Sequence, residues 1–306
     1  MVNSPKVVVV VLNYRRPQDT IECIASLIKS NYLNIEIVIV DNASGDDSVQ
    51  QIQLAYKNIH ILVSEANLGY AGGMNIGIKY AMQKSPVYIL VMNSDTIVDK
   101  SYLGILVNAL ELDTQAAAAS GTIYYHSKQD KVWYAGGNIN YLRASVFQKN
   151  GYIPDKVLFK LEGDVTFLSG CAFLVKTSAL KKVGLFDERF FMYIEDTELS
   201  ERIIQNKYKL LFIPHARIFH KVNIGYLMPY AVYFNVRNRL LFVSTLPSIT
   251  KRMLGFTYLY FICISKIVFW KITKPRLADA VLYGVQDFFL KPFYAGRAFQ
   301  LEDNHQ

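Results

Sequence analysis

Asn93 and Asp95 carry oxygen atoms two positions apart in the sequence, a spacing that would let both side chains bind one ligand. They stand in residues 90–99, LVMNSDTIVD, directly after an apolar run that is typical of a buried strand. Because alternate residues of an extended chain point to the same side, both could face one divalent cation or one ribose-diphosphate. Open α/β sheets bind ligands at the carboxyl ends of their strands. The alternative is structural, since a carboxylate after a strand often forms a turn or caps a helix.

Two earlier apolar runs end in the same way. Residues 7–14, VVVVVLNY, end near Asn13, and residues 35–44, IEIVIVDNAS, end near Asp41. Runs this uniformly apolar and this rich in Val and Ile predict parallel strands that are buried on both faces. Helical patterns follow each run, the second over about residues 46–57. The sequence therefore predicts a Rossmann-like α/β fold, with a mostly parallel sheet, flanking helices and polar strand ends along one edge where a nucleotide could lie.

A glycine-rich stretch follows a short third run, HILV at residues 60–63. It reads NLGYAGGMNIG over residues 67–77 and continues as a helical pattern. Dense glycines allow a backbone to turn tightly or to approach a ligand, so Asn67 and Gly72 are candidate nucleotide contacts. The alternative is that the glycines pack a helix against the sheet. This stretch is not the dinucleotide fingerprint, which would follow the first strand, and that argues against a dehydrogenase.

Acidic and aromatic residues are mixed in residues 184–199, GLFDERFFMYIEDTEL. A carboxylate beside aromatic rings can gain basicity through partial desolvation, which is what a catalytic base needs. The alternative is that Asp196, Glu198 and Glu201 complement the dipole at the start of a helix. Only one of the acids in this cluster has to take part in catalysis.

Two histidines follow the next strand-like run, KLLFI at residues 209–213. They are His215 and His220. A single histidine is usually structural. One that follows the acidic cluster could also complete the oxygen ligands of Asn93 and Asp95 around a divalent metal.

The composition predicts an intracellular protein with a substantial core. The chain has 306 residues and three cysteines, which are scattered without the spacing of metal ligands. We interpret Cys23, Cys171 and Cys263 as buried thiols in a reducing compartment. No signal peptide is expected, because the first apolar run is short and leads directly into Asn13. A cytoplasmic location is therefore expected for the catalytic part.

The positive charge is concentrated in the last third of the chain. Residues 221–306 contain eleven Lys and Arg against four Asp and Glu, while the whole chain carries a net charge of +8. The same region holds residues 253–270, MLGFTYLYFICISKIVFW, in which Lys266 is the only formal charge. Basic flanks and aromatic residues favour a helix that lies in, or dips into, the cytoplasmic membrane interface. A buried core helix or a dimer helix is the alternative, and no nucleic-acid partner is expected because it would leave the apolar density unexplained.

The motifs, in this order and at this spacing, resemble the family 2 glycosyltransferases, especially their bacterial rhamnosyltransferase-like branch. The resemblance rests on the glycine-rich stretch, the N-S-D segment, the aromatic and acidic cluster, and YFNVRNR at residues 233–239. It covers about residues 7–243. It implies a GT-A fold and an inverting transfer of a sugar from a nucleoside-diphosphate donor, assisted by Mg²⁺ or Mn²⁺.

The resemblance also implies roles for individual residues. Asp41 would recognise the nucleobase, and Asn93-Ser94-Asp95 would stand for the D-x-D motif that binds the diphosphate and the metal. Asp196 would be the catalytic base, and His220 would lie beside the metal. The candidate residues are, for the donor nucleotide, Asn13, Asp41, Asn67, Gly72, Asn93 and Asp95; for the metal, Asp95, Asn93 and His220; for catalysis, Asp196; and for the surroundings of the acceptor or sugar, Asp187, Glu195 and Trp133.

Two residues depart from the family pattern. Asn93 replaces the first Asp of D-x-D, so the metal has one anionic ligand fewer and would be held chiefly by Asp95 and the diphosphate. Glu198 stands where Asp is usual after E-D-x, which is tolerated if this residue only orients others.

We therefore expect a glycosyltransferase domain at residues 1–243 and a C-terminal helical, membrane-associating region at residues 244–306. The enzyme would move rhamnose or a similar hexose to a hydroxyl of a lipid-linked or growing surface polysaccharide acceptor, at the inner face of the cell membrane. The alternatives are a nucleotidyltransferase and an inactive nucleotide-sugar-binding subunit. The former would normally need a glycine-rich phosphate loop early in the chain, and residues 13–17 contain no glycine.

Overall fold

The computed structural model describes residues 4–222 and 228–290. Within them the chain forms one large sheet with helices on both faces, a small two-stranded sheet and three C-terminal helices. The strands of this part of the chain are β1 Val7–Asn13, β2 Ile35–Asp41, β3 His60–Val63, β4 Tyr88–Asn93, β5 Thr96–Val98, β6 Ala116–Tyr125, β7 Lys128–Tyr134, β8 Gly137–Asn140, β9 Ser145–Gln148, β10 Gly163–Val165, β11 Ala172–Lys176 and β12 Lys209–His220. The α-helices are α1 Pro17–Ile28, α2 Ser48–Ala55, α3 Gly69–Gln83, α4 Tyr102–Leu112, α5 Asp155–Leu158, α6 Thr177–Val183, α7 Glu195–Gln205, α8 Pro229–Thr245, α9 Ile249–Thr273 and α10 Pro275–Leu290.

The large sheet is parallel on one side and mixed on the other. Its main path is β10-β12-β6-β11-β4-β1-β2-β3, with β5 paired to β12 and β7 paired to β6. The strands β4, β1, β2 and β3 are parallel, as the apolar runs predict. The next strand, β11, runs antiparallel between β4 and β6. This reversal places the start of β11 beside the end of β4, where Ala172 pairs with Met92.

Side chains along β1 alternate between two hydrophobic cores. Val7, Val9 and Val11 belong to the core that contains residues of α1 and α4, whereas Val8 and Val10 belong to the core that contains residues of α3. All five valines are 0% exposed. Burial on both faces explains why the run is continuously apolar instead of alternating, and the prediction made from it is confirmed.

The polar residues at the strand ends lie along one edge of the sheet. Asn13 is the register partner of Asp41, and Leu12 is the register partner of Asn93. The ends of β1, β2 and β4 are therefore neighbours, as the order of elements predicts. The candidate site lies at this edge.

The other predicted elements are present with small changes of length. The helix predicted over about residues 46–57 is the shorter α2, and the glycine-rich stretch forms the first turns of α3. The run KLLFI begins β12, which continues to His220. The pairing of β12 with β6 shifts register between Ile213 and Arg217, where Pro214 cannot donate a ladder hydrogen bond.

Three helices follow the sheet. The first, α8, ends slightly beyond the boundary predicted at residue 243 and packs against α9 and α10. The apolar residues 253–270 lie inside α9, the one helix of the described chain that is long and apolar enough to cross a membrane. Only 17% of its most apolar stretch is buried. The end of the predicted tail, residues 291–306, lies outside the described residues.

Candidate active site

A buried hydrogen-bond network joins Asn13 and Asp41 at the ends of β1 and β2. Nδ2 of Asn13 donates to Oδ2 of Asp41 at 2.7 Å. Ser44 donates to both carboxylate oxygens of Asp41, from its amide at 3.0 Å and from its hydroxyl at 2.6 Å. Thr20 fixes Asn13 from the other side, through a hydrogen bond of 2.7 Å to Oδ1. The network holds the Asp41 carboxylate in one orientation at the edge of the sheet.

Asn67 lies just before α3, and Gly72 lies in the first turn of this helix. Oδ1 of Asn67 accepts from Nδ2 of Asn42 at 3.0 Å and from the amide of Gly69 at 2.9 Å. A Cβ at Gly72 would lie only 2.6 Å from Cβ of Leu68. Close packing within this turn is thus one reason for glycine at position 72. Contact of Asn67 and Gly72 with a nucleotide stays a prediction.

Asp95 lies between the side chains of Arg16 and His220. Its Oδ1 is 3.0 Å from Nε2 of His220, and its Oδ2 is 3.2 Å from Nη1 of Arg16. Burial raises the pKa of Asp95, but the close contact with His220 and the charge of Arg16 outweigh burial, so the pKa is lowered overall. Trp133 packs edge-on against the imidazole of His220, with ring centroids 5.0 Å apart. The structure therefore brings Asp95, His220 and Trp133 together.

The atoms around Asp95 suit a divalent cation. Two ligand atoms that are each about 2.1 Å from one ion, at an octahedral angle, are about 3 Å apart. The separation of Oδ1 of Asp95 from Nε2 of His220 fits this value, and Oδ1 is buried without a well-aligned hydrogen bond. Asn93 ends β4 at the same edge, whereas Asp95 lies in the turn before β5, so the two residues are not on one extended strand as the sequence predicts. Since residues 4–222 and 228–290 contain no group of three His, Cys, Asp or Glu side chains placed to hold a metal, the remaining ligands would be the diphosphate and water.

Without a metal, His220 is the charged partner of Asp95. Burial lowers the pKa of His220, but its interactions with Cys171 and Asp95 outweigh burial and raise the pKa to about 10. A metal ion that binds Nε2 has to displace the proton from this nitrogen.

Asp196 is held at the first turn of α7. Its Oδ2 accepts from the amide of Gly170 at 2.9 Å, and its Oδ1 accepts from the amide of Thr197 at 2.7 Å. Burial raises the pKa of Asp196 and outweighs these hydrogen bonds, which lower it. Burial also raises the pKa of the adjacent Glu195 well above its ordinary value, and the charge of Asp196 raises it further. A carboxylate with a raised pKa and a fixed orientation has the properties of a catalytic base.

The turn before β11 links Asp196 to the end of β4. The amide of Gly170 donates to Asp196, while the carbonyl of the next residue, Cys171, accepts from the amide of Asn93 at 2.9 Å. A Cβ at Gly170 would lie 3.4 Å from Oδ2 of Asp196. The antiparallel direction of β11 is what brings this turn to the N-S-D segment. The candidate base and the candidate metal side therefore share one edge of the sheet.

The loop that leads into α7 has an unusual backbone. Phe191, Tyr193 and Ile194 have positive φ angles of 61°, 68° and 71°. This conformation costs energy for residues with a Cβ, so surrounding contacts have to fix it. The amide of Ala71 donates to the carbonyl of Phe191 at 3.0 Å, and a Cβ on Gly69 would collide with the same carbonyl oxygen. The glycine-rich stretch thus supports the acidic cluster by direct contact.

Arg237 and Asn238, which we call the loop clamp, hold this loop from α8. Nδ2 of Asn238 lies 2.8, 2.7 and 2.7 Å from the carbonyl oxygens of Phe190, Met192 and Tyr193. Nη2 of Arg237 donates to the carbonyl of Phe190 at 3.0 Å. Both residues of the clamp are 0% exposed. The YFNVRNR segment therefore positions the loop before α7.

Asp187 and Glu198 have partners of their own. Asp187 pairs with Arg189, and both line a cavity of about 450 Å³ together with residues of α7. Glu198 pairs with Arg202, one turn along α7, at 2.6 Å. Glu198 departs from the family pattern at this position, and its contact is structural. A role for Asp187 near the acceptor stays a prediction.

Arg16 and Gly170 contact the candidate residues Asp95 and Asp196, although sequence reasoning missed them. Arg16 is 79 positions from Asp95 along the chain, and Gly170 is 26 positions from Asp196. Such contacts exist only once the strands have taken their order in the sheet. For Gly170, the available signal is the segment LSGC at residues 168–171, a glycine directly before an apolar run.

Comparison with known proteins identifies the family. The model of glycosyl transferase family 2 matches residues 7–184, more than half of the chain. The chain is 26% identical over 215 residues to an N-acetylglucosaminyl-diphospho-decaprenol L-rhamnosyltransferase of Mycobacterium tuberculosis, which covers 64% of this chain and 70% of that protein. It is also 26% identical over 223 residues to the dTDP-rhamnosyl transferase RfbF of Shigella flexneri, which covers 68% of this chain and 70% of that protein.

Among solved structures, the fold is similar to that of GalNAc-T7, crystallised with UDP, GalNAc and Mn²⁺. The TM-score is 0.64 at 16% identity, so the likeness concerns the fold alone. The match covers 100% of this chain and 55% of GalNAc-T7, and the chain thus spans just over half the length of that protein. This chain therefore belongs to glycosyl transferase family 2 and is a glycosyltransferase with the GT-A fold.

Proposed function

We propose that this protein transfers a sugar from a nucleoside-diphosphate donor to a hydroxyl group, with inversion at the anomeric carbon. The proposal rests on the placement of Asp95 and Asp196 at one edge of the sheet, on either side of the turn at Gly170 and Cys171. A direct displacement needs two functions, one for the charge of the leaving group and one for the proton of the acceptor. Asp95 would serve the leaving group, and Asp196 would serve the acceptor.

Asp196 is proposed to be the base of this reaction. It accepts the proton of the acceptor hydroxyl while that oxygen attacks the anomeric carbon and the bond to the diphosphate breaks on the opposite face. A single displacement inverts the configuration and needs no covalent sugar intermediate. Asp95, Asn93 and His220 would hold a Mg²⁺ or Mn²⁺ ion, together with the diphosphate. The ion would supply positive charge to the leaving diphosphate.

The relatives favour rhamnose or a similar hexose as the transferred sugar. Two of them are named as rhamnosyltransferases, and one of these names contains a diphospho-decaprenol lipid. We therefore propose a lipid-linked or growing surface polysaccharide as the acceptor. Asp41 can accept a hydrogen bond from an N–H group of the nucleobase, with Asn13 fixing its orientation. Asn67 and Gly72 are the proposed donor contacts at the start of α3. Asp187, Glu195 and Trp133 are proposed to surround the acceptor or the sugar.

Association with the cytoplasmic face of the cell membrane is part of the proposal. Large apolar side chains of α9 are exposed, among them Phe261 at 63%, Val268 at 65% and Ile272 at 87%. Arg252, near the start of α9, and Arg276, at the start of α10, provide positive charge at its two ends. An apolar surface with basic flanks suits the interface of an anionic bilayer, where the acceptor would be confined.

A screen of nucleotide sugars tests the proposed function. The protein is incubated with UDP-, GDP- and dTDP-sugars, including dTDP-rhamnose, and with Mn²⁺ or Mg²⁺, both with and without polyprenyl-diphosphate-linked sugars as acceptors. We expect one donor to release its nucleoside diphosphate faster when an acceptor is present, and NMR of the product to show the opposite anomeric configuration. Release of pyrophosphate would instead indicate a nucleotidyltransferase. Donor binding without any product would favour an inactive binding subunit.

A further inference from the structure

Arg16 is a cation at the metal side of the site that the proposed reaction does not yet use. Its Nη1 lies 3.2 Å from Oδ2 of Asp95 and 3.7 Å from Oδ2 of Asp19. The side chain of Arg16 is 53% exposed, whereas that of Asp95 is 17% exposed. A guanidinium that reaches a mostly buried carboxylate from the surface can leave it without opening a cavity in the core.

The backbone of Arg16 is fixed, although its guanidinium is exposed. The residue stands directly before α1, and its carbonyl accepts from the amide of Thr20 at 3.1 Å and lies 3.0 Å from the hydroxyl oxygen of Thr20. The same hydroxyl donates to Asn13 at the end of β1. The backbone of Arg16 is therefore fixed near the edge where the diphosphate is proposed to lie, and its side chain can rotate about this fixed backbone.

The charges around Asp95 point to a second partner for Arg16. Since Asn93 is neutral, Asp95 is the one acid of the N-S-D segment, and it is flanked by both Arg16 and His220. Lys221, which follows His220, is engaged by Asp19 at 2.8 Å and by Glu22 at 2.7 Å. A metal ion at Asp95 would add further positive charge beside Arg16 and would repel its guanidinium. Of the anions then beside Arg16, Asp19 is already shared with Lys221, which leaves the diphosphate.

We propose that Arg16 alternates between two anions: Asp95 in the donor-free protein, and the diphosphate of the nucleotide sugar when the donor is bound. In the donor-free protein the guanidinium neutralises Asp95 and competes with a metal ion for it. When the donor and the metal are bound, Asp95 faces the metal, and the planar guanidinium donates to the phosphate oxygens. Because Asn93 gives the metal one anionic ligand fewer, the metal is held less firmly, and Arg16 supplies the diphosphate with additional positive charge. The inference rests on the proposed function, because it assumes a diphosphate donor.

Two binding measurements test this proposal without turnover. Calorimetry with UDP, GDP and dTDP in the presence of Mn²⁺ measures nucleotide affinity, and the spin resonance of free Mn²⁺ measures metal affinity without nucleotide. Arg16→Met removes the charge at similar length, and Arg16→Lys keeps the charge without the planar fork. Lys29→Met, an exposed position at the other end of α1, is the matched control.

The proposal predicts opposite changes in the two affinities. Arg16→Met should weaken the binding of the best nucleoside diphosphate by about 10- to 100-fold, because it removes a charge-assisted hydrogen bond. The same variant should bind Mn²⁺ alone more tightly than the unchanged protein does, because a competitor for Asp95 is gone. Arg16→Lys should recover part of the nucleotide affinity, and Lys29→Met should change neither affinity.

Two results would overturn the inference while leaving the proposed function intact. Unchanged nucleotide affinity in Arg16→Met would mean that Arg16 does not touch the phosphates. Loss of both affinities, as expected for the reference variant Asp95→Ala, would mean that Arg16 only supports the conformation of Asp95. If no nucleoside diphosphate binds the unchanged protein, both the proposed function and the inference about Arg16 are wrong. This result comes from the unchanged protein, so it can be distinguished from a failure of the Arg16 inference alone, which only the variants can show.

Discussion

Glu195 and Asp196 are adjacent acids with raised pKa values and different surroundings. Asp196 accepts hydrogen bonds from two backbone amides, which favour its ionised form. Glu195 is 6% exposed, and its Oε2 has no hydrogen-bond partner among the described residues. Burial therefore opposes ionisation of Glu195 more strongly. This difference is why Asp196, and not Glu195, is the candidate base.

Glu195→Gln should raise the free energy of unfolding at neutral and alkaline pH. Because burial raises the pKa of Glu195 above its unfolded value, the folded protein binds this proton more tightly than the unfolded chain does. The stability from that proton is complete below the unfolded pKa and is lost as pH rises through the folded pKa. Gln has no proton to lose, so the advantage of the variant should grow with pH in urea unfolding. A difference that is independent of pH would contradict this interpretation of Glu195.

Helix α8 fixes the loop that precedes α7. Asn238→Ala should lower the free energy of unfolding by about 1–3 kcal/mol, because it leaves loop carbonyls without their donor. Turnover should fall as well, since the loop determines where Asp196 lies, whereas nucleotide affinity should change little. Thermal unfolding, kcat and calorimetry measure the three effects.

The control for the loop clamp is Asn235→Ala on the same helix. Nδ2 of Asn235 donates to the carbonyl of Ala231 within α8, at 2.8 Å, so the substitution removes only a local hydrogen bond. If Asn238→Ala and Asn235→Ala lower stability and turnover equally, the clamp has no special role.

Much of the sheet could be predicted because it depends on local composition. Five successive positions of β1 are valine because both faces of the strand are covered. This pattern identifies a parallel strand without knowledge of its neighbours. The meeting of Asn13, Asp41 and Asn93 follows from the same reasoning, because parallel strands carry their carboxyl ends to one edge.

The contacts that complete the site could not be predicted in this way. The antiparallel insertion of β11 depends on which strands lie beside it, and the contact of Gly170 with Asp196 follows from that insertion. The same holds for Arg16, which reaches Asp95 only because β1 and β4 are neighbours. The sequence indicates the loop clamp only through the resemblance of YFNVRNR to a family motif, and its geometry comes from the packing of α8 on the loop.

The C-terminal helices are expected to bind anionic membranes. We choose Arg252, Lys274 and Arg276 for replacement by Gln, because Lys251 stacks on Tyr141 and Lys271 pairs with Asp279. Loss of roughly 1 kcal/mol for each basic residue near the surface should weaken sedimentation with anionic liposomes, and salt should do the same. Some attachment should remain through the apolar side chains of α9.

The control for membrane binding replaces three exposed lysines outside the C-terminal helices, Lys57, Lys128 and Lys207, by Gln. It removes the same charge and should leave liposome binding nearly unchanged. Equal binding to neutral and anionic liposomes would contradict the electrostatic part of the proposal. A dimer that dissociates when exposed residues of α9 are replaced would instead make this helix an oligomer contact.

Measurement of sugar transfer by Asp196→Asn tests whether Asp196 is the base of glycosyl transfer at this edge of the sheet. The comparison includes the unchanged protein and Asp164→Asn, an exposed acid of β10. Asn keeps the shape of Asp but has almost no proton affinity, so turnover should fall by about 10²- to 10⁴-fold, while calorimetric affinity for the nucleoside diphosphate with Mn²⁺ stays near that of the unchanged protein. Asp164→Asn should be fully active. Retention of most of the transfer activity by Asp196→Asn would contradict the assignment and would direct attention to Glu195 or Asp187.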